Sequence, residues 1–153
     1  TIIGFTGIQN EETDSKDFCI NHVLETKRGN AVSLGVIYII LAQQLDLPVY
    51  GVNLYRHFVL AYQKNFVLDY DMNNARETIF YMNPVNKGVP FQLREIKEYL
   101  KSMEVEEKES FFNPASTKNV VKEMLYYLKY YHLAKNREKA VEEISTLLNL
   151  FSK

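Results

Sequence analysis

The most uniform stretch of the chain is NAVSLGVIYIILAQQLDL, in which apolar residues fall on every face over three helical turns. A helix with no polar face is one surrounded by protein, so residues 29–47 are expected to form a buried helix that Pro48 ends. Upstream, GIQNEETDSKDF is polar and acidic. Asp14 or Ser15 there caps an expected helix through FCINHVLETK, with Phe18, Cys19, Val23 and Leu24 as its apolar positions and Gly29 as its end. After Pro48 the period changes. VYGVNL, HFVLAY and NFVLDY are short runs of β-branched and aromatic residues, and Lys64 and Asn65 between the last two predict a tight antiparallel hairpin. DMNNARET reads as a loop, IFYM as another short strand, NPVNKGVP as a turn-rich return and Val89 to Phe91 as a last strand. Helical period returns in LREIKEYLKSM, where Leu93, Ile96 and Leu100 share a face, and EVEEKES follows as a solvated acidic connector.

From Asn113 the pattern is that of two helices. Ser116 or Thr117 caps the first, which carries Val120, Val121, Met124, Leu125 and Leu128 on one side; a polar turn near AKNRE follows. In the second, Ala140, Ile144, Leu147, Leu148 and Phe151 form one apolar stripe made to lie against its neighbour. Tyr126, Tyr127, Tyr130 and Tyr131 add a dense aromatic belt. Tyrosine rings packed at a helix interface with their hydroxyls in water are the favoured reading, and a ligand-stacking platform is the other. The division is therefore a core over residues 1–110 and a helical hairpin over 111–153.

Composition narrows the function classes. Hydrophobic residues make up 46% and charged residues 24%, with six Gly and four Pro, as in a globular chain. The net charge of -1 provides no field to draw in nucleic acid or an anionic membrane, and neither is expected as a partner. Cys19 is the sole cysteine, which excludes an internal disulfide and a thiolate metal cluster and fits a reducing cytoplasm. The apolar run from Ala31 to Ala42 falls short of the roughly 20 residues that span a bilayer. The chain opens on TIIGFTG without Met or a basic start, so no signal peptide is visible and an upstream segment is left open. Gly4 and Gly7 lack the setting of a phosphate loop. Asp69 and Asp71 lack partners for a metal pair, His22 and His132 belonging to other elements, and neither metal nor cofactor is expected.

Taken together, ETKRGNAVSLGVIYIILAQQLDLPVYGVNLYRHFVLAY, then FYMNPVNKG, then the two helices after FFNPAS resemble a bacterial transglutaminase-like family named after a regulator of invasion genes. The resemblance covers most of the chain and is most specific from Arg28 to His57. It implies an α+β fold: a papain- or transglutaminase-like core of helices packed on a small antiparallel sheet, followed by a tetratricopeptide-like helical hairpin. In catalytic relatives of such a core, a Cys at the start of a buried helix works with a His on a neighbouring strand and an Asp or Asn on the next. The helix N-terminus and an imidazolium stabilise the thiolate, and the third residue holds the tautomer. Seventeen residues before Pro48, where that nucleophile is implied, stands Ala31. His57 occupies the His position, and Asn83, before Pro84, that of the acid. Tyr55 departs from the family's Pro-x-His-Phe, and Glu123 from a basic position in the tail.

Two residues are candidates to replace the missing nucleophile. Ser33 lies in the first turn of the long helix, where a serine more often bonds a backbone group. Cys19 reaches the site only if its helix crosses closely, and is otherwise a small buried hydrophobe. His57 is read as a histidine satisfied by one hydrogen bond to Asn83 or to backbone, in a pocket still able to hold an anionic or amide group. The leading expectation is a catalytically silent core that binds a protein or peptide through an apolar, tyrosine-rich helical surface. The rival is a hydrolase or acyl transferase using Ser33 or Cys19 with His57 and Asn83. The oligomeric state is left open.

Overall fold

The computed structural model describes residues 4–9, 12–66 and 78–151. Near its amino end, β1 (Thr6–Gly7) pairs in parallel with β2 (Arg28–Gly29), and a 3-10 turn (Ser15–Phe18) and helix α1 (Ile20–Thr26) lie between them. The single helix expected from Asp14 to Gly29 is thus two pieces. Asp14 caps the 3-10 turn by accepting from Lys16 N, and Asp17 returns the bond at 2.7 Å to Asp14 N, closing one turn on itself. Cys19 is then extended, and Lys27 in the left-handed region at φ 56° ends α1.

Helix α2 (Ala31–Gln44) starts two residues later than expected, because Gly29 is held in β2 against Gly7. Its amino-terminal half is buried through Val32, Leu34 and Ile37, the last two packed with Val23 of α1. Burial on every face does not extend along its length: Ile40 and Leu41 are 45% and 47% exposed. The physical reason is that α1, seven residues long, reaches only the first turns of that flank.

The main sheet is antiparallel, with β3 (Val49–Leu54), β4 (His57–Gln63), β5 (Thr78–Asn83) and β6 (Val89–Phe91) side by side in that order. The tight hairpin joins β3 to β4 through Tyr55 and Arg56, with Leu54 opposite His57 and Arg56 at φ 58°. β4 pairs with β3 on one edge and β5 on the other, and the second strand of the hairpin expected at Lys64 and Asn65 lies mostly outside the described residues. Most of NFVLDY and DMNNARET, including Asp69 and Asp71, lies outside the described residues.

Successive side chains of a strand point to opposite faces, and here both faces are covered. Phe58 and Leu60 of β4 pack with Val49, with Val32 and Ala42 of α2, and with Val120 of α4 (Thr117–Ala134). On the other face Val59 and Ala61 meet Val52, Leu54 and Tyr81, and with them Ile96 and Leu100 of α3 (Leu93–Ser102). Phe58, 2% exposed, fits because two neighbours are glycine: a Cβ on Gly35 would stand 2.5 Å from its Cε1, and one on Gly51 2.6 Å from its Cζ. Ser116 caps α4 by accepting from Asn119 N, and α5 (Glu138–Leu150) packs along α4 with Ile144 and Leu148 buried. The α+β arrangement of helices on a small antiparallel sheet is as expected.

Candidate functional site

The amino end of α2 abuts the start of β4, because the β3–β4 turn returns the chain beside the helix. Asn30, 4% exposed, holds that end: its Oδ1 accepts from Val32 N at 3.1 Å and Ser33 N at 2.9 Å. Two cavities open from there, of about 310 Å³ and 340 Å³, and Ala31, His57 and Phe58 line both. The larger runs under α3 and is mixed, with Gln9, Asn83, Asn86 and Glu95 among apolar walls that include Leu54, Val59 and Ile96. The smaller lies between the 3-10 turn and α4. Its walls include Arg56, Lys135 and the rings of Phe18, Tyr127 and Tyr131, with no Asp or Glu among its described lining residues.

The candidate residues thus fall into two groups. Ala31, His57 and Asn83 line the 340 Å³ cavity together. Asn83 is exposed at the end of β5, and its Oδ1 accepts from Val85 N at 3.0 Å, an Asx turn that holds the NPVNKG return. Among the described residues no hydrogen bond joins it to His57. The His57 ring instead stands edge-on to Tyr99 with centroids 5.2 Å apart, and partial desolvation there holds its pKa below the ordinary 6.5. Ser33, fully buried, lines neither cavity; its hydroxyl donates to Asn30 O at 3.3 Å and Oδ1 at 3.2 Å. Cys19 is exposed, with its thiol 4.0 Å from Ser15 O, and lines neither cavity.

Sequence reasoning missed Arg56 and Lys135 as walls of a site and named Tyr127 and Tyr131 only in the alternative reading of the tyrosine belt as a stacking platform. A signal was present. Tyr127, Tyr131, Ala134 and Lys135 are spaced i, i+4, i+7 and i+8, so one stripe of α4 faces the cavity, while Tyr126 and Tyr130, 37% and 65% exposed, turn outward. The tyrosine belt therefore divides by face. Tyr131 packs on Phe18 with centroids 6.3 Å apart, its hydroxyl 3.5 Å from Asp14 Oδ2. Burial, then the Glu123 carboxylate and Tyr99, push the Tyr127 phenol up to about 12. Glu123 is itself held above the usual carboxylate range by burial. Among the described residues no three His, Cys, Asp or Glu side chains gather to hold a metal, and no helix is long and apolar enough to cross a membrane.

Sequence comparison places this geometry among known proteins. The chain is 32% identical to a UPF0162 protein of Xylella fastidiosa over 96 residues, 63% of this chain and 30% of that protein. It is 30% identical to a UPF0162 protein of Buchnera aphidicola over 135 residues, 86% of this chain and 46% of that one. It therefore spans less than half the length of either relative. No solved structure matches the chain. The profile of the transglutaminase-like superfamily matches residues 2–126, from β1 through the first half of α4. With helix start, histidine strand and asparagine turn meeting at one cavity inside that span, the chain belongs to the transglutaminase-like superfamily.

Proposed function

We propose that this protein is a catalytically silent transglutaminase-like module, of the type named after a regulator of invasion genes, that acts in the cytoplasm by binding a protein or peptide partner. In this reading residues 1–110 are the core and 111–153 a tetratricopeptide-like hairpin that presents the partner surface. The observation that carries it is the first turn of α2. A methyl group stands at Ala31, where a catalytic relative is expected to carry its thiol, beside a histidine whose cavity also contains the asparagine of the third role. Alanine has no group that attacks a carbonyl. Neither Ser33 nor Cys19 lines that cavity, and the Ser33 hydroxyl is engaged with its own helix cap.

The partner surface is supported by the outward face of the two last helices. Tyr130 is 65% exposed, Leu133 48% and Leu150 62%. Tyrosine offers a large contact area with few rotatable bonds, which suits recognition.

The test uses serine- and cysteine-directed electrophiles and intact-protein mass spectrometry. The exposed Cys19 thiol is expected to label equally in the parent and in His57→Ala, and Ser33 not to label at all. Stoichiometric labelling of Ser33 or Cys19 that disappears in His57→Ala overturns the reading in favour of a hydrolase or acyl transferase with His57 as base and Asn83 as orienter.

A further inference from the structure

We infer that the 310 Å³ cavity at the amino end of α2 is a binding site for a carboxylate carried on an aromatic or apolar body. Four independent features converge on one ligand chemistry. First, Lys135 and Arg56 are among the residues that line the cavity, the Arg56 guanidinium standing 5.1 Å over the Tyr55 ring at its edge, and no carboxylate is among its described lining residues. An anion entering it meets these cationic residues in the lining itself, while the Asp14 and Glu123 carboxylates stand behind Tyr131 and Tyr127. Second, it opens on the positive end of a fourteen-residue helix, and among the described residues Ala31 N–H has no acceptor.

The third feature is Asn30. This side chain lines the cavity at 4% exposure, and the two backbone N–H groups bonded to Oδ1 fix which way its carboxamide faces. Its Nδ2 is enclosed and, among the described residues, has no hydrogen-bond partner. A buried donor left unpaired is unfavourable, and an incoming carboxylate oxygen is the acceptor it lacks. Fourth, the remaining walls are rings: Phe18, Phe58, Tyr127 and Tyr131. The volume is near the lower end of the roughly 300–1,000 Å³ of small-molecule sites, matching one ring and its acid group rather than a nucleotide.

The neighbouring cavity supplies the contrast. It shares Ala31, His57 and Phe58 but carries Glu95 and three carboxamides, so the two sides of His57 differ in charge and only one favours an anion. The same carboxylate chemistry has two sources, a free aromatic acid or the carboxyl terminus of a polypeptide. The inference rests on α2 opening on a binding centre rather than a reacting one.

The experiment titrates the full chain with 3-phenylpropionate and with N-acetyl-phenylalanine, each beside its neutral carboxamide, followed by calorimetry and amide NMR. Both acids are expected to bind and to move the Asn30 side-chain and Ala31 backbone resonances, and the carboxamides to bind at least about tenfold more weakly. The tighter acid identifies the source: N-acetyl-phenylalanine a polypeptide terminus, 3-phenylpropionate a free acid. Asn30→Asp keeps the oxygen that caps α2 and replaces the free donor with negative charge, so it is expected to lower affinity about tenfold or more without loss of fold. Lys135→Gln, at the exposed end of α4, lowers it severalfold independently of the cap. Equal binding of acid and carboxamide, or no movement at Asn30 and Ala31, overturns the site. Absence of binding by a protein that also shows no His57-dependent labelling overturns the carboxylate site alone. His57-dependent labelling overturns the silent-module reading, whatever the acids do.

Discussion

Phe58 shows how one side chain is specified by the residues that make room for it. Its ring occupies the space left by Gly35 on one side and Gly51 on the other. Removing the ring in Phe58→Ala is expected to destabilise the protein by about 3–5 kcal/mol in urea unfolding, since the surroundings collapse only in part. Gly35→Ala places a methyl against the same ring and is expected to cost about 1–3 kcal/mol. If the ring is the cause, Phe58→Leu combined with Gly35→Ala recovers part of that loss in a double-mutant cycle. His57, one residue earlier, is governed by solvation. Burial disfavours its charged form, so the unfolded chain takes up its proton first as pH falls. Stability owed to this residue is therefore full above the unfolded pKa and declines as pH drops below about 6.5. Arg56 beside it in sequence, Glu95 and Tyr99 from α3, Tyr127 and Tyr131 from α4, and Lys135 at the end of α4 are the charged or titratable groups lining the two cavities it joins. An NMR titration of its ring protons is expected to give a midpoint below 6.5, moving upward when 3-phenylpropionate is added.

At the scale of elements, the amino end of α2 combines a structural cap with a chemical opening. Asn30→Ala removes the acceptor for Val32 N and Ser33 N and is expected to lower stability by about 1–2 kcal/mol, whereas Asn30→Asp stays near the parent. Urea midpoints of the two variants make the comparison. Ala31→Cys, in a Cys19→Ser background, tests whether the helix end and His57 still form the environment of a reactive thiol. Its thiol is expected to titrate about one unit or more below the ordinary 8.5 in an iodoacetamide pH–rate profile, and His57→Ala to reverse much of that drop. An unshifted thiol would mean that Ala31 and His57 line one cavity without being electrostatically coupled. The element patterns were legible where one neighbour decides them: α3 by its apolar stripe, α4 by Ser116, β5 and β6 by their short β-branched and aromatic runs. They were less legible where two elements compete. Gly29 reads as a helix start, yet its pairing with Gly7, twenty-two residues away, assigns it to a strand. HFVLAY followed by Lys64 and Asn65 reads as half of a local hairpin, yet both of its edges are taken by β3 and β5.

For the whole molecule, α4 is the element that joins the core to the last helix. Val120 is buried with Phe58 and Leu60, Tyr127 lines the cavity, and Ile144 and Leu148 of α5 are buried in turn. Partner binding is therefore best tested by exposed substitutions that leave this packing alone. Tyr130→Ala with Leu133→Ala is expected to reduce capture of a partner severalfold with little change in melting temperature, and unchanged capture would exclude this face. The same packing makes Tyr127 a reporter of alkaline stability. Its phenol keeps its proton up to about 12 in the folded protein and ordinarily loses it near 10.0, so stability falls as pH rises between those values. Urea midpoints across that range are expected to decline less steeply in Tyr127→Phe.

By itself the sequence determined the long apolar helix and the strands at VYGVNL, HFVLAY, IFYM and Val89 to Phe91, because periodicity is a local property of a chain, while the family resemblance implied the class of fold and set Ala31, His57 and Asn83 together. Tertiary structure alone decided which flank of α2 is covered, which strands pair, and that Ser33 turns to its own cap. It also decided that Arg56 and Lys135, seventy-nine residues apart, share a cavity with the unpaired Asn30 amide. Such outcomes depend on which surface reaches another first and on where a buried polar group finds its partner, and neither is written in the pattern of any one segment.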